Sequence, residues 1–284
     1  MHLLSYIHAG RPGFGCLDGR GGVVDLSARL GRADLGQALR QHGADAVRDL
    51  AARHGADLAL ADIEAYRPAV ADPAHIFCAG LNYEEHRVEA RRERTAMPTI
   101  FLRLPQSQAG HGQPLLLPQE SDSFDYEGEI AVVVGRGGRR IAPERAFDHL
   151  LGFSAYNDGS IRDWQAHTTQ WAPGKNFPQT GAFGPTLALT DEIGENDVLS
   201  LDTYLNGERM QSATTDMMIF PIAELVSYVS RFTPLLPGDV IVTGTPGGVG
   251  FKRSPPVFLR DGDVVEVAVG KVGRLANTVR REAA

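Results

Sequence analysis

With 284 residues, 43% of them hydrophobic and 22% charged, the chain is an ordinary globular protein, long enough for one large core and a small accessory unit. A formal net charge of −7 and a pI near 5.7 argue against a nucleic-acid partner, since clusters of Lys and Arg, such as Arg91-Arg92 and the C-terminal tail, are few and short. Positive charge for an anionic small molecule must then be concentrated locally, by a few cationic side chains or a metal ion. The first twelve residues contain no continuous apolar run, so neither a signal peptide nor a membrane span is expected. Cys16 and Cys78 lie far apart without metal-ligand spacing and read as the reduced, small apolar residues of a cytoplasmic protein.

Residues 1–70 read as a small α+β unit. Residues 3–8 and 13–17 alternate like two short strands, residues 19–22 have turn chemistry, and residues 23–26 form a third strand. Residues 33–60 carry Ala, Leu, Asp and Arg at helical spacing, and Gly43 and Gly55 divide them into two or three short helices. His42 and His54, each just before one of those glycines, face solvent in a last helical turn. Pro68 and Pro73 bracket an extended linker into a larger unit, residues 71–284.

The larger unit opens with a buried strand at residues 75–82, followed by residues 83–94, which form helix readily but are almost wholly polar. A helix without an apolar stripe is not held by a core, so this segment is expected to be a mobile surface element that orders on binding. His86 and Glu89 are neighbours on its face, where the carboxylate either orients the imidazole or is simply solvated beside it. Strands follow at residues 99–104, 115–117, 130–135, 150–157, 183–189, 201–205, 240–243 and 264–269, with Asn206-Gly207 as a hairpin signal. Helices are expected at residues 143–149, 160–167 and 222–232. So many strands against few helices predict a largely antiparallel sheet folded on itself. The glycine-rich runs at 135–138 and 244–250 lack the strand, glycines and helix that a dinucleotide fingerprint requires.

Chemistry concentrates at residues 123–131. If residues 126–134 are extended, Glu127 and Glu129 project to the same side while Ile130, Val132 and Val134 enter the core behind them. Two carboxylates so close are reconciled by a bound cation or a shared proton, or else both face water on an ordinary sheet surface. Asp158 closes the strand at 150–157 ahead of Arg162 and Gln165, and reads either as a third metal ligand or as a helix N-cap. Lys175 sits in a loop punctuated by Pro and Gly, where function is commoner than in a core.

Six segments together resemble the bacterial branch of the fumarylacetoacetate hydrolase family: Gly80-Leu-Asn-Tyr-Glu-Glu-His86, Asp125-Tyr-Glu-Gly-Glu129, Asn157-Asp158 with Arg162-Asp163, Gly174-Lys175-Asn-Phe, Thr215-Asp-Met-Met-Ile-Phe220 and residues 237–250. The resemblance spans residues 75–279, and residues 1–70 resemble the branch's small N-terminal domain. It implies an α+β, mainly β fold, a mixed β-sandwich roll, and a homodimer. It implies Mg²⁺ or Mn²⁺ held by Glu127, Glu129 and Asp158, a water-activating dyad of His86 and Glu89 on a lid, a catalytic Lys175, and substrate contacts from Arg162, Gln165 and Thr245. Arg103 stands where relatives commonly carry Lys. The implied substrate is a small 2-oxo acid with a further carbonyl, cleaved at a C–C bond as in acylpyruvates or 2,4-diketo sugar acids. Isomerisation, tautomerisation or decarboxylation of related oxo-diacids is the alternative, because the same enolate chemistry runs without water attack. A catalytically silent metal-binding protein is the third reading.

Overall fold

The computed structural model describes residues 1–283. The chain begins with three antiparallel strands, β1 (His2–His8), β2 (Arg11–Leu17) and β3 (Gly22–Asp25), and a helix α1 (Leu35–Arg53). The helix breaks at Gly43, whose φ of 80° and ψ of 164° suit only a residue without Cβ. Then follow β4 (Ile76–Gly80), α2 (Glu84–Glu89), β5 (Thr99–Arg103), β6 (Gly128–Val134), β7 (Leu150–Asn157), β8 (Gly181–Leu189), β9 (Ser200–Leu205), β10 (Glu208–Thr214), α3 (Ile222–Phe232), β11 (Val240–Val242), β12 (Val264–Val269) and β13 (Gly273–Arg281).

These elements form the expected mixed, mainly β architecture with two principal sheets. A 12-stranded sheet runs β3-β2-β1-β8-β7-β6-β11-β4-β5 with short strands at its margins, so β1 pairs antiparallel with β8 and the N-terminal strands extend the same sheet. A five-stranded sheet runs β10-β9-β12-β13 and ends on Leu115–Leu117. Pairing is mostly antiparallel, but β4–β11 and β13 with Leu115–Leu117 are parallel. Asn206 and Gly207 both take positive φ, 51° and 83°, which matches the right-handed twist of the β9–β10 hairpin they join.

The strand β6 is buried on both faces. Ile130, Val132 and Val134 pack toward the five-stranded sheet with Leu201, Val265, Val267 and Leu275, and Leu225, Val226 and Val229 of α3 close the same core. Ala131 and Val133 face the other way, into a second core with Leu35, Leu39 and Val47 of α1 and with Leu3 and Phe14. Both faces of β6 are thus packed against a core, which positions the site at its first residues.

Four expectations are corrected. The polar helix at 83–94 ends at Glu89, and Arg91 turns the chain back with a left-handed φ of 54°. On this helix His86 is buried and Glu89 accepts from the backbone N–H of residue 248. Residues 143–149 form two separate 3₁₀ turns, and residues 160–167 form a two-residue strand and a four-residue helix, both too short for periodicity to reveal. The strand series does not finish at 269: β13 follows, its Leu275, Asn277 and Val279 inward and its charged residues outward. Among the described residues no helix is long and apolar enough to cross a membrane, and Cys16 and Cys78 are free and buried.

Candidate metal centre and cavity

Register brings the three acids together. Phe124–Asp125 pairs with Ser160–Ile161, and β6 pairs with β7 so that Gly128 lies opposite Asn157. Between these ladders the Asp158 N–H donates to the Glu127 carbonyl at 2.8 Å, and the Asn157 side chain accepts from the Glu127 N–H at 3.0 Å. Glu127, Glu129 and Asp158 thereby converge, each offering one oxygen within 4.8 Å of the others, and all three are buried.

Three cations surround them. Lys175 Nζ donates to Glu127 Oε2 at 2.7 Å and to Asp158 Oδ2 at 2.5 Å. Arg103 donates to Asp158 Oδ1 at 2.5 Å, to Gly159 O at 3.0 Å and to Thr180 Oγ1 at 2.9 Å. Arg162 Nη1 lies 2.6 Å from Glu127 Oε1, and its Nε donates to Asp125 Oδ2 at 2.8 Å. Its Nη2 is also 2.8 Å from Asp125 Oδ2 but off the hydrogen-bonding line, so it has no aligned acceptor.

The charges divide unequally. Burial and then the neighbouring Asp158 and Glu127 charges push the Glu129 carboxyl well above the usual range, against Lys175 and a 2.5 Å hydrogen bond from the Gly244 N–H. Burial pushes Glu127 up too, but Arg162 and Lys175 outweigh it and hold that carboxyl far below its ordinary value. Lys175 would be lowered by burial; Asp158 and Glu127 reverse this and keep it an ammonium. Asp125, Glu127 and Asp158 each have a cationic partner among Arg103, Arg162 and Lys175.

His86 lines the same cavity, which has a volume of about 940 Å³. Its Nδ1 is 2.8 Å from Glu89 Oε1, and since a carboxylate only accepts, Nδ1 carries the proton and Nε2 is the free nitrogen. Glu89 Oε2 accepts from the Gly248 N–H at 3.0 Å. The segment 244–250 is therefore a hub: Gly244 N–H binds Glu129, Gly248 N–H binds Glu89 and Gly250 N–H binds Asp125. Thr245 and Gln165 also line the cavity, Gln165 accepting from Arg162 Nη1 at 3.0 Å. Eight of the nine residues singled out from the sequence thus line one cavity, and the ninth, Glu89, reaches it through the His86 ring.

Residues 75–280 match the family described as fumarylacetoacetate (FAA) hydrolase C-terminal. The chain belongs to the fumarylacetoacetate hydrolase family. It is 36% identical over 280 residues to the mitochondrial oxaloacetate tautomerase FAHD2B of Bos taurus, covering 96% of this chain and 88% of the relative. It is 38% identical over 223 residues to the oxaloacetate tautomerase YisK of Bacillus subtilis, covering 78% and 74%. A solved fumarylacetoacetate hydrolase from Exiguobacterium antarcticum superposes with a TM-score of 0.82 at 30% identity, covering 99% of this chain and 100% of that one.

For a member of this family the donor set fits a divalent ion. Three buried carboxylates offer oxygens within 4.8 Å of one another, the all-oxygen donor set that hard divalent cations take. Two residues went unassigned in the sequence reading although both lay in view. Asp125, inside the quoted acidic segment, anchors Arg162 and accepts from the N–H groups of Gly250 and Phe251. Arg103, noted only as a departure from Lys, is fully buried against Asp158.

Proposed function

We propose that this protein is a divalent-metal-dependent tautomerase interconverting the enol and keto forms of oxaloacetate or a closely related 2-oxo dicarboxylate. The observation that carries this reading is the proton equipment of the cavity: His86 is the one histidine among its described lining residues, with a single free nitrogen. Keto–enol interconversion moves one proton between C3 and the C2 oxygen, which one base can carry. The relatives named oxaloacetate tautomerases, at 36–38% identity, support it over the C–C bond hydrolase first expected from the sequence.

In the keto-to-enol direction, His86 Nε2 takes a proton from C3, the C–H electron pair becomes the C2=C3 bond, the C2=O π pair moves onto the C2 oxygen, and the imidazolium returns its proton to that oxygen. Glu89 stabilises the imidazolium that forms. Lys175 is assigned as donor to the C2 oxygen. Arg162, through its unaligned Nη2, and Gln165 are assigned to the substrate's carboxylate and oxo oxygens, and Thr245, whose hydroxyl proton is held by the Gly128 carbonyl, to the same oxygens through its backbone N–H. Glu127, Glu129 and Asp158 would hold Mg²⁺ or Mn²⁺, which when bound withdraws charge from the 2-oxo group and makes the C3 proton easier to remove.

The test supplies freshly dissolved enol oxaloacetate with Mg²⁺ or Mn²⁺ and follows loss of enol absorbance against the uncatalysed rate. Pyruvate release and acylpyruvate cleavage are measured in parallel. Accelerated ketonisation without pyruvate or cleavage is expected. Acylpyruvate cleavage with no acceleration of ketonisation would sink the tautomerase reading and restore the hydrolase.

A further inference from the structure

Gly128 separates the two glutamates, and because strand side chains alternate, it faces the five-stranded sheet while the carboxylates face the cavity. The fit on that side is tight, since a Cβ on Gly128 would collide with Thr203 Oγ1. The ladder between β6 and β11 stops where the Thr243 N–H donates to the Ile130 carbonyl, short of Gly128. A side chain from β10 continues it. Gln211 Oε1 accepts from the Gly128 N–H at 2.9 Å, and Gln211 Nε2 donates to Thr245 Oγ1 at 2.8 Å and to Pro246 O at 2.9 Å. Thr245 Oγ1 closes the ring by donating to the Gly128 carbonyl at 2.9 Å.

We propose that Gln211 is a positioning residue of the site. It is 2% exposed and touches no cavity-lining carboxylate, yet it grips both groups on which the site depends. Its oxygen fixes the peptide that spaces Glu127 from Glu129, and its nitrogen orients Thr245, whose one proton is thereby committed to Gly128. Only a side-chain amide presents an acceptor and two donors on one planar head, and at this position each has a partner. The inference rests on the proposed roles of Glu127 and Glu129 as ligands and of Thr245 as a substrate contact.

Two variants separate the arms. Gln211→Met keeps the bulk and loses both, whereas Gln211→Glu keeps the acceptor for Gly128 and loses the donors. Calorimetric titration of the metal-free protein with Mn²⁺ is expected to show affinity weakened about 10–100-fold in Q211M and within a few-fold of wild type in Q211E, as for groups that orient a metal's ligands from behind. Q211E should still lower kcat/KM for ketonisation, and adding Thr245→Val to it should cost almost nothing more, because both act through one hydroxyl. Folded Q211M with unchanged Mn²⁺ affinity, or additive losses from Q211E and T245V, would overturn the proposal, as would a wild-type protein that binds no divalent ion. If wild type binds Mn²⁺ but leaves oxaloacetate untouched, the tautomerase reading fails alone and the titration still decides the role of Gln211.

Discussion

Replacing Lys175 by Met tests the charge balance at the heart of the site. The ammonium lies 2.7 Å from Glu127 Oε2 and 2.5 Å from Asp158 Oδ2 and is 1% exposed. At an effective dielectric of about 20, each attraction is worth roughly 6 kcal/mol gross, and the cost of burying the ammonium cancels much of the total. What decides the outcome is the state left behind. Methionine keeps most of the volume but removes one of three cations facing Asp125, Glu127 and Asp158, so two buried carboxylates lose a partner. Breaking a buried pair in this way costs about 3–5 kcal/mol. For a chain of this length a loss of 1 kcal/mol lowers Tm by about 2 °C, giving a fall of roughly 6–10 °C in thermal unfolding of the metal-free protein. Saturating Mn²⁺, which binds only the folded site and supplies the missing positive charge, should recover a larger part of that fall than it adds to wild type. A variant as stable as wild type without metal, or a loss that Mn²⁺ leaves untouched, would refute the reasoning.

Replacing His86 by Ala should lower kcat for ketonisation by about 10²–10⁴-fold while leaving Mn²⁺ affinity by calorimetry unchanged, because the ring carries the proton and holds no metal; equal loss of both would count against this division of labour. His111 is lowered by burial, and its Nδ1 accepts from the Ala276 N–H at 3.1 Å, so the folded protein prefers the neutral ring. A depressed folded pKa makes stability fully present above the unfolded value of about 6.5 and progressively lost as pH falls below it. His111→Gln keeps an acceptor for Ala276 and should flatten that loss between pH 7.5 and 5 in urea midpoints, down to the part that His2, lowered in the same sense, still contributes; an unchanged pH slope would show that His111 is not its source.

Much of the secondary structure was legible because it is periodic. The helix at 222–232 carries apolar residues at a period of 3.6 and the strand at 264–269 buries every second residue, while 115–117 and 150–157 stand out as short, largely apolar runs. Asn206-Gly207 announced its hairpin through backbone chemistry alone. The short pieces were not legible: a four-residue helix at Arg162–Gln165 completes about one turn, and no period can be counted in one turn. Nor was the parallel pairing of β4 with β11, since those strands lie some 160 residues apart and nothing local marks their register.

The sequence by itself determined which acids, bases and cations exist, and that Glu127 and Glu129 would face the same way, because alternation along a strand is a property of the chain. It also carried the family, since six separated segments kept their types and order. Only the tertiary structure decided that Asp158 meets those glutamates and that Lys175 and Arg103 grip Asp158 from two sides. Only it showed Glu89 and Gln211 both reaching the segment 244–250. Those contacts join residues tens to more than a hundred positions apart, and they depend on sheet register and packing, to which a one-dimensional pattern has no access.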